Sequence, residues 1–138
     1  MSWPLWGARS VLAVVIGYPL MGLRITLVQE NWPGGVSYTH SSLWVLFLGG
    51  TFTFLSAVAA GWVAGWIAGH HPLLHALVMS AIVVGETAWL IATGRTVDPV
   101  WFDVCAGASL IVGLLVGASL EVWRRAHLAG SAQVTAGA

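Results

Sequence analysis

The chain has 138 residues, of which 58% are hydrophobic and only 7% are charged. Soluble domains carry about 25% charged residues, so this composition excludes a water-facing surface and predicts an integral membrane protein. Five basic residues balance five acidic ones, which argues against a nucleic-acid partner. The single cysteine, Cys105, excludes an internal disulfide, and its place in an apolar segment predicts a small packing residue.

Four apolar segments are long enough to cross a bilayer as helices, which takes about 20 residues. These predicted helices cover residues 5–28, 43–68, 73–93 and 100–123. They predict an all-α membrane protein with four transmembrane helices in an up-down bundle, forming one domain over residues 1–125. Pro19 predicts a kink in the first helix, because proline removes a backbone donor. Residues 126–138 are small and polar, and we expect them to form a flexible tail.

The connection between the second and third helices is predicted to be a tight turn. Gly69 suits the left-handed position that ends a helix, and Pro72 suits the first turn of the next helix. The two helices therefore form an antiparallel hairpin.

The arginines predict the orientation. With four spans both termini lie on one side of the membrane, and that side carries Arg9, Arg124 and Arg125. The other side carries Arg24 and Arg95. The excess of positive charge predicts that both termini are cytoplasmic.

Small residues recur every four positions in two of the helices. The second helix has Ala57, Gly61, Gly65 and Gly69, and the fourth has Cys105, Ser109, Gly113 and Gly117. Small residues let helix backbones approach closely in lipid. The two ladders therefore either pack on each other inside the bundle, or one of them faces outward towards a partner. Trp62 and Trp66 form a bulky ridge on another face of the second helix. The chain has nine tryptophans, more than two interfacial belts need, which favours a lateral contact with protein, a flat pigment or lipid.

Charged side chains lie inside the predicted spans, where each costs about 2.5–3.5 kcal/mol at the bilayer centre. Depth along the helices predicts an outer layer of Arg24, Glu86 and Asp103 and an inner layer of Arg9, His75 and Glu121. In the first, third and fourth helices these residues share one side, so we expect the layers to face a common interior. They serve as structural pairs, as a proton or ion path in which Glu86 titrates, or as a site for a polar headgroup.

The histidines do not predict a metal site. His70, His71 and His75 lie close together, but no further ligand is near in sequence, so we interpret them as part of the turn. A haem needs histidines at similar depth on facing helices, and His40 and His75 are predicted at opposite ends. His75 alone is a candidate axial ligand for a chlorophyll-type pigment, and no other cofactor is predicted. No catalytic set or nucleotide-binding motif is present, so no catalytic residue is predicted and we do not expect an enzyme.

The segment from Gly61 to Ala76, GWVAGWIAGHHPLLHA, is followed later by Pro99 and Trp101. This pattern resembles a loosely defined group of small four-helix bacterial membrane proteins, in which a glycine-alanine run precedes Pro-x-x-His-Ala. The resemblance covers about a third of the chain. It implies the four-helix topology and a bacterial inner membrane, and it implies no activity.

Three functions fit these patterns. The first is a non-catalytic accessory or scaffold subunit of a larger bacterial membrane complex, of the respiratory or photosynthetic kind, or of a homo-oligomer. The second is a small homo-oligomeric, proton-linked transporter or channel that uses Glu86. The third is a pigment- or lipid-binding membrane subunit that uses His75 and the tryptophan faces.

Overall fold

The computed structural model describes residues 7–19, 22, 36–96 and 98–136, with side chains described as far as residue 131. This part of the chain is all-helical. The first helix, α1, covers residues 7–19, and the next three are α2 (Leu43–Ala68), α3 (Pro72–Ala92) and α4 (Val100–Ala136). The latter three are long and apolar enough to cross a membrane. The all-α class and three of the predicted spans are thereby confirmed.

The first predicted span is described only in part. Residues 7–19 are helical, and so is Gly22. The kink predicted at Pro19 depends on the direction of the chain beyond it, which lies outside the described residues, as do the end of the span at residue 28 and the side chain of Arg24.

The turn between α2 and α3 has the predicted construction. Gly69 ends α2 in the left-handed conformation with φ 70°, and its N–H donates to the carbonyl of Gly65. Pro72 is the first residue of α3. His71 is also left-handed, with φ 41°, which is uncommon outside glycine and was not predicted. The turn therefore places two histidines in a fixed position between the helix ends.

The predicted end of the last helix is wrong. Instead of ending near residue 123 with a flexible tail from residue 126, α4 continues as helix to Ala136. The tail contains no proline, and its alanine, leucine and glutamine residues are good helix formers, whereas only Gly130 costs about 1 kcal/mol. Low hydrophobicity ends a membrane span, but it does not end a helix.

Contacts between the helices show their relative directions. Gly113 of α4 meets Ala57 of α2, and Gly117 meets a point one turn further along α2, so these two helices run in the same direction. α3 runs the opposite way, since Thr87 near its end meets Gly107 near the start of α4. Each of these three helices contacts the other two.

The interior is made mostly of alanine side chains, with a few larger ones. Its buried apolar residues are Ala13, Ala57, Ala60, Ala64, Ala68, Ala76, Met79, Val83, Leu114 and Ala118. Large apolar side chains point outward instead, as expected where the surroundings are lipid rather than water. Close backbone approach therefore contributes the packing that large buried side chains supply in soluble proteins.

Candidate functional site: the glycine contact and the charged end

The two small-residue ladders face each other. A Cβ atom at Gly61 would overlap the backbone carbonyl of Leu114, and one at Gly117 would overlap the carbonyl of Val58. A Cβ atom at Gly113 would come within 2.7 Å of the Ala57 Cβ. We call the contact that Gly61, Gly113 and Gly117 form between α2 and α4 the glycine contact.

The glycine contact decides between the two interpretations of the ladders. Gly61, Gly113 and Gly117 pack within the chain, against the facing helix. The interpretation in which one ladder faces outward towards a partner is therefore wrong at these three positions. Gly65 is also internal, because a Cβ there would lie 3.0 Å from Pro72 and 3.3 Å from Glu121. Cys105, by contrast, is exposed, and the prediction that it is a packing residue is wrong.

Glu121 is the most buried charged residue described. It lies on α4 next to the end of α2 and is 0% exposed. Its carboxylate accepts two hydrogen bonds from Arg124, at 2.7 and 2.8 Å, and one from Arg125 at 2.8 Å. The indole N–H of Trp62 donates a fourth across the helix interface, at 3.1 Å. This buried carboxylate is therefore fully paired, as the cost of burying an isolated charge requires.

Arg125 also ties α4 to α2. Its Nη2 donates to the backbone carbonyl of Gly65 at 2.6 Å. That carbonyl belongs to the last turn of α2, where the helix dipole favours a positive charge. The cluster of Trp62, Glu121, Arg124 and Arg125 thus joins the two helices at the end where the glycine contact stops.

The three residues of the predicted inner layer lie at one end of the bundle, but Arg9 and His75 do not pair with Glu121. The guanidinium of Arg9 lies at the α2–α3 turn, about 3.5 Å from the point where a Cβ on Gly69 would be. The His75 ring is 5% exposed, and its Nδ1 donates to the His71 carbonyl at 3.0 Å. Neither residue forms an ion pair with Glu121 in the described part of the chain. The signal that identifies the true partners is the i,i+3 and i,i+4 spacing of Glu121 with the two arginines.

The α2–α3 turn is held to α1 by a second histidine. His70 Nδ1 donates to the Ala68 carbonyl at 2.7 Å, and its Nε2 shares a hydrogen bond of 3.1 Å with Ser10 Oγ. The interpretation of these histidines as turn residues agrees with this geometry. We call the region formed by Arg9, the α2–α3 turn and the segment 121–125 the charged end.

The predicted outer layer does not form as a buried cluster. Glu86 is exposed on α3 and accepts a hydrogen bond from the Tyr18 hydroxyl of α1, a partner that was not predicted. Asp103 is half-buried, and its Oδ2 has no hydrogen-bond partner in the described chain. The third member, Arg24, lies outside the described residues. The outer layer predicted from the sequence does not include Tyr18, because its contact with Glu86 depends on how α1 and α3 pack.

Asp98 joins two loops at the opposite end of the bundle. Asp98 Oδ1 accepts hydrogen bonds from Ser37 Oγ at 2.7 Å and from the Tyr38 backbone N–H at 3.0 Å. The Tyr38 ring stands edge-on to Trp101 with centroids 4.8 Å apart. We call this region, residues 36–44 and 93–103, the loop end. The loop end carries two carboxylates, Asp98 and Asp103, and one arginine, Arg95, so its net charge is negative. The net charge of the charged end is positive.

All the tryptophans whose side chains are described lie on the outside of the bundle. The least exposed is Trp62 at 46% and the most exposed is Trp44 at 67%. The group comprises Trp44, Trp62, Trp66, Trp89, Trp101 and Trp123. They fall near helix termini or the charged end, which is the distribution of an aromatic belt at two membrane surfaces. The predicted ridge of Trp62 and Trp66 is present on the surface of α2.

The described residues contain no group of three histidine, cysteine, aspartate or glutamate side chains that could hold a metal ion. A pigment macrocycle needs open space at its ligating nitrogen, and the buried ring of His75 does not offer it. The arrangement therefore favours structural roles for the histidines.

Comparison of the chain with protein-family models, with curated proteins and with solved structures finds no match in any of the three.

Proposed function

We propose that this chain is a non-catalytic scaffold or accessory subunit of a bacterial inner membrane. The observation that carries the proposal is the glycine contact, where backbone meets backbone at Gly61, Gly113 and Gly117. Such a contact fills the centre of the α2–α4 interface and leaves no room there for a substrate or ion path. Around it, Glu121, Glu86 and the turn histidines have hydrogen-bond partners on the same or a neighbouring helix.

The proposed topology is an up-down bundle of four transmembrane helices with both termini in the cytoplasm. Its support comes from the contacts of α1: Ser10 meets His70 in the turn that precedes α3, and Tyr18 meets Glu86 in the second half of α3. The helices α1 and α3 thus share one direction, opposite to that of α2 and α4. Three arginines lie at the charged end, and the positive-inside rule assigns that end to the cytoplasm.

The proposed partner is a larger membrane protein complex or further copies of this chain. Because the glycines of the two ladders pack inside the chain, the proposed surface for the partner is the exposed tryptophan ridge of Trp62 and Trp66. Aromatic side chains are enriched at the centres of protein interfaces, where they contribute much of the binding energy.

Native purification of the tagged full chain in a mild detergent tests this proposal. We expect a stoichiometric complex that is lost in Trp66→Ala and kept in the matched variant Trp44→Ala, which removes an equally exposed indole at the loop end. A monodisperse monomer from native membranes, with no stoichiometric partner and no second copy, would contradict the proposal.

A second candidate function is a proton-linked transporter, and the observation that favours it is Glu86. This exposed carboxylate lies within the candidate span Pro72–Ala92 and contacts the Tyr18 hydroxyl of another helix. If it carries protons, Glu86→Gln abolishes proton flux in proteoliposomes, whereas Tyr18→Phe keeps the carboxylate and retains flux. Equal flux from Glu86→Gln and the unmodified chain would exclude this function for Glu86.

A further inference from the structure

A groove on the outer surface of the charged end has both apolar walls and a cation. Its volume is about 320 Å³, and it is lined by Trp62, Val63, Trp66 and Arg124. The Trp66 side chain is 62% exposed, so the groove opens to the surroundings of the bundle rather than to its interior. A ligand with an apolar chain could therefore enter it from the lipid phase.

The charge beside this groove is not neutralised. Glu121 is the only carboxylate described at the charged end, and it is shared by Arg124 and Arg125. Arg124 donates hydrogen bonds from Nε and Nη2 to the Glu121 carboxylate, while its Nη1 forms no hydrogen bond to any described residue. With 40% of its side chain exposed, Arg124 keeps a donor and a net positive charge available at the groove.

We propose that this groove binds an anionic phospholipid, with its phosphate on Arg124 and the first part of an acyl chain against Trp62, Val63 and Trp66. Guanidinium groups match phosphate oxygens in geometry and charge. Basic pockets at the cytoplasmic end of transmembrane helices suit anionic headgroups, and indoles suit the headgroup level of the bilayer. The excess positive charge selects an anionic lipid over a zwitterionic one.

The loop end supplies a natural contrast. There too an arginine lies beside a tryptophan, since Arg95 Cζ is 4.7 Å from the ring centroid of Trp89. That guanidinium covers the aromatic face of Trp89, and its neighbours in the chain include Asp98. Arg95 is therefore the matched control for a charge that is present but not built into a lipid site.

Native mass spectrometry of the purified full chain tests the proposal. The probes are phosphatidylglycerol and phosphatidylcholine with identical acyl chains. We expect the chain to prefer phosphatidylglycerol by about fivefold, the effect of one basic residue near a membrane surface. Arg124→Gln should lose this preference, Arg124→Lys should keep most of it, and Arg95→Gln should leave it unchanged.

Arg124→Gln retains the Arg125–Glu121 pair and should fold. If it does not, Val63→Trp provides a second variant, since it fills the groove and should weaken both lipids alike. Equal binding of the two lipids, a preference that survives Arg124→Gln, or free inorganic phosphate that binds as tightly as phosphatidylglycerol would each overturn the proposal. The inference rests on the proposed membrane placement and uses the same two tryptophans as the proposed partner contact. Lipid binding is measured on the isolated chain without a partner, so its failure is distinguishable from failure of the native purification.

Discussion

The interface between α2 and α4 is closed in one half and open in the other. In the closed half, glycines on both helices bring backbone against backbone at Gly61 and Gly117. In the open half the same four-residue spacing continues through Ser109 and Cys105, yet a groove of about 330 Å³ separates the helices. The spacing of small residues is therefore not sufficient for close packing.

The difference follows from what each small residue carries. A serine or cysteine has a Cβ and a further atom, which hold a facing backbone away, whereas a glycine presents its Cα hydrogen directly. In addition, the side chain of Val36 lines the groove in the open half. It lies 3.1 Å from the point where a Cβ on Gly49 would be. Close backbone contact between α2 and α4 is thus replaced by a groove on the side of the loop end.

The largest effect is expected from breaking the closed half with Gly117→Val. The new side chain would overlap the Val58 carbonyl and the Trp62 backbone nitrogen, neither of which can move without displacing α2. Overpacking costs about 1–3 kcal/mol and occasionally more, and here we expect at least the upper value. Thermal unfolding in detergent, followed by circular dichroism, should show a midpoint lower by about 6–12 °C.

The matched control is Gly85→Val on α3. No atom lies within 4 Å of a Cβ at Gly85, so this variant has the same change in helix propensity without the overlap. If both variants lose equal stability, helix propensity rather than the glycine contact accounts for the effect.

A smaller loss is expected from Glu121→Gln at the end of the closed half. The amide presents one accepting oxygen instead of two, so at least two of the four hydrogen bonds to the carboxylate are lost. The buried polar groups left unsatisfied cost about 1–3 kcal/mol. Asp98→Asn is the counterpart at the loop end, where an amide oxygen can still accept from Ser37 and Tyr38. Urea unfolding should therefore separate the two variants, and equal losses would contradict the special role of the buried carboxylate.

The open half should tolerate a change that the closed half does not. Ser109→Leu adds apolar volume into the groove beside Gly49 and Thr53, where space exists. We expect a change in the free energy of unfolding within about 1 kcal/mol, with stabilisation if the leucine fills the groove. A loss comparable to that of Gly117→Val would mean that the groove is closed in the membrane.

The smallest effect, without loss of stability, is expected from labelling Cys105. This thiol is exposed in the open half and should react with N-ethylmaleimide in the folded protein. Moving the only cysteine to the closed half, as Ala118→Cys in a Cys105→Ser background, should protect it because Ala118 is 0% exposed. Mass spectrometry measures both rates, and equal labelling would remove the distinction between the halves.

Several features of this chain follow from local sequence. Apolar run length predicts α2 to within the observed bounds, and Gly69 with Pro72 predicts the turn, because both depend on neighbours in sequence. The Glu121–Arg124 pair is of the same kind, since residues three apart on a helix meet whatever surrounds them. The charge layers predicted from the sequence do not contain this pair, because they join residues of different helices.

Other features could not be predicted, because they depend on the rotation and separation of whole helices. Periodicity places His75 and Glu86 on one side of α3, yet the first is buried and the second exposed. The contact of Tyr18 with Glu86 and that of Arg125 with the Gly65 carbonyl also join residues far apart in sequence.

The sequence by itself determined an all-helical chain with membrane-length apolar segments, a tight hairpin and two ladders of small residues. Only the tertiary structure decided that the ladders meet each other, that they close at Gly61 and Gly117, and that they open at Ser109. The physical reason is that lipid surrounds apolar side chains equally well on every face of a helix. Helix rotation is then chosen by a few close backbone contacts and paired charges, which only the assembled helices contain.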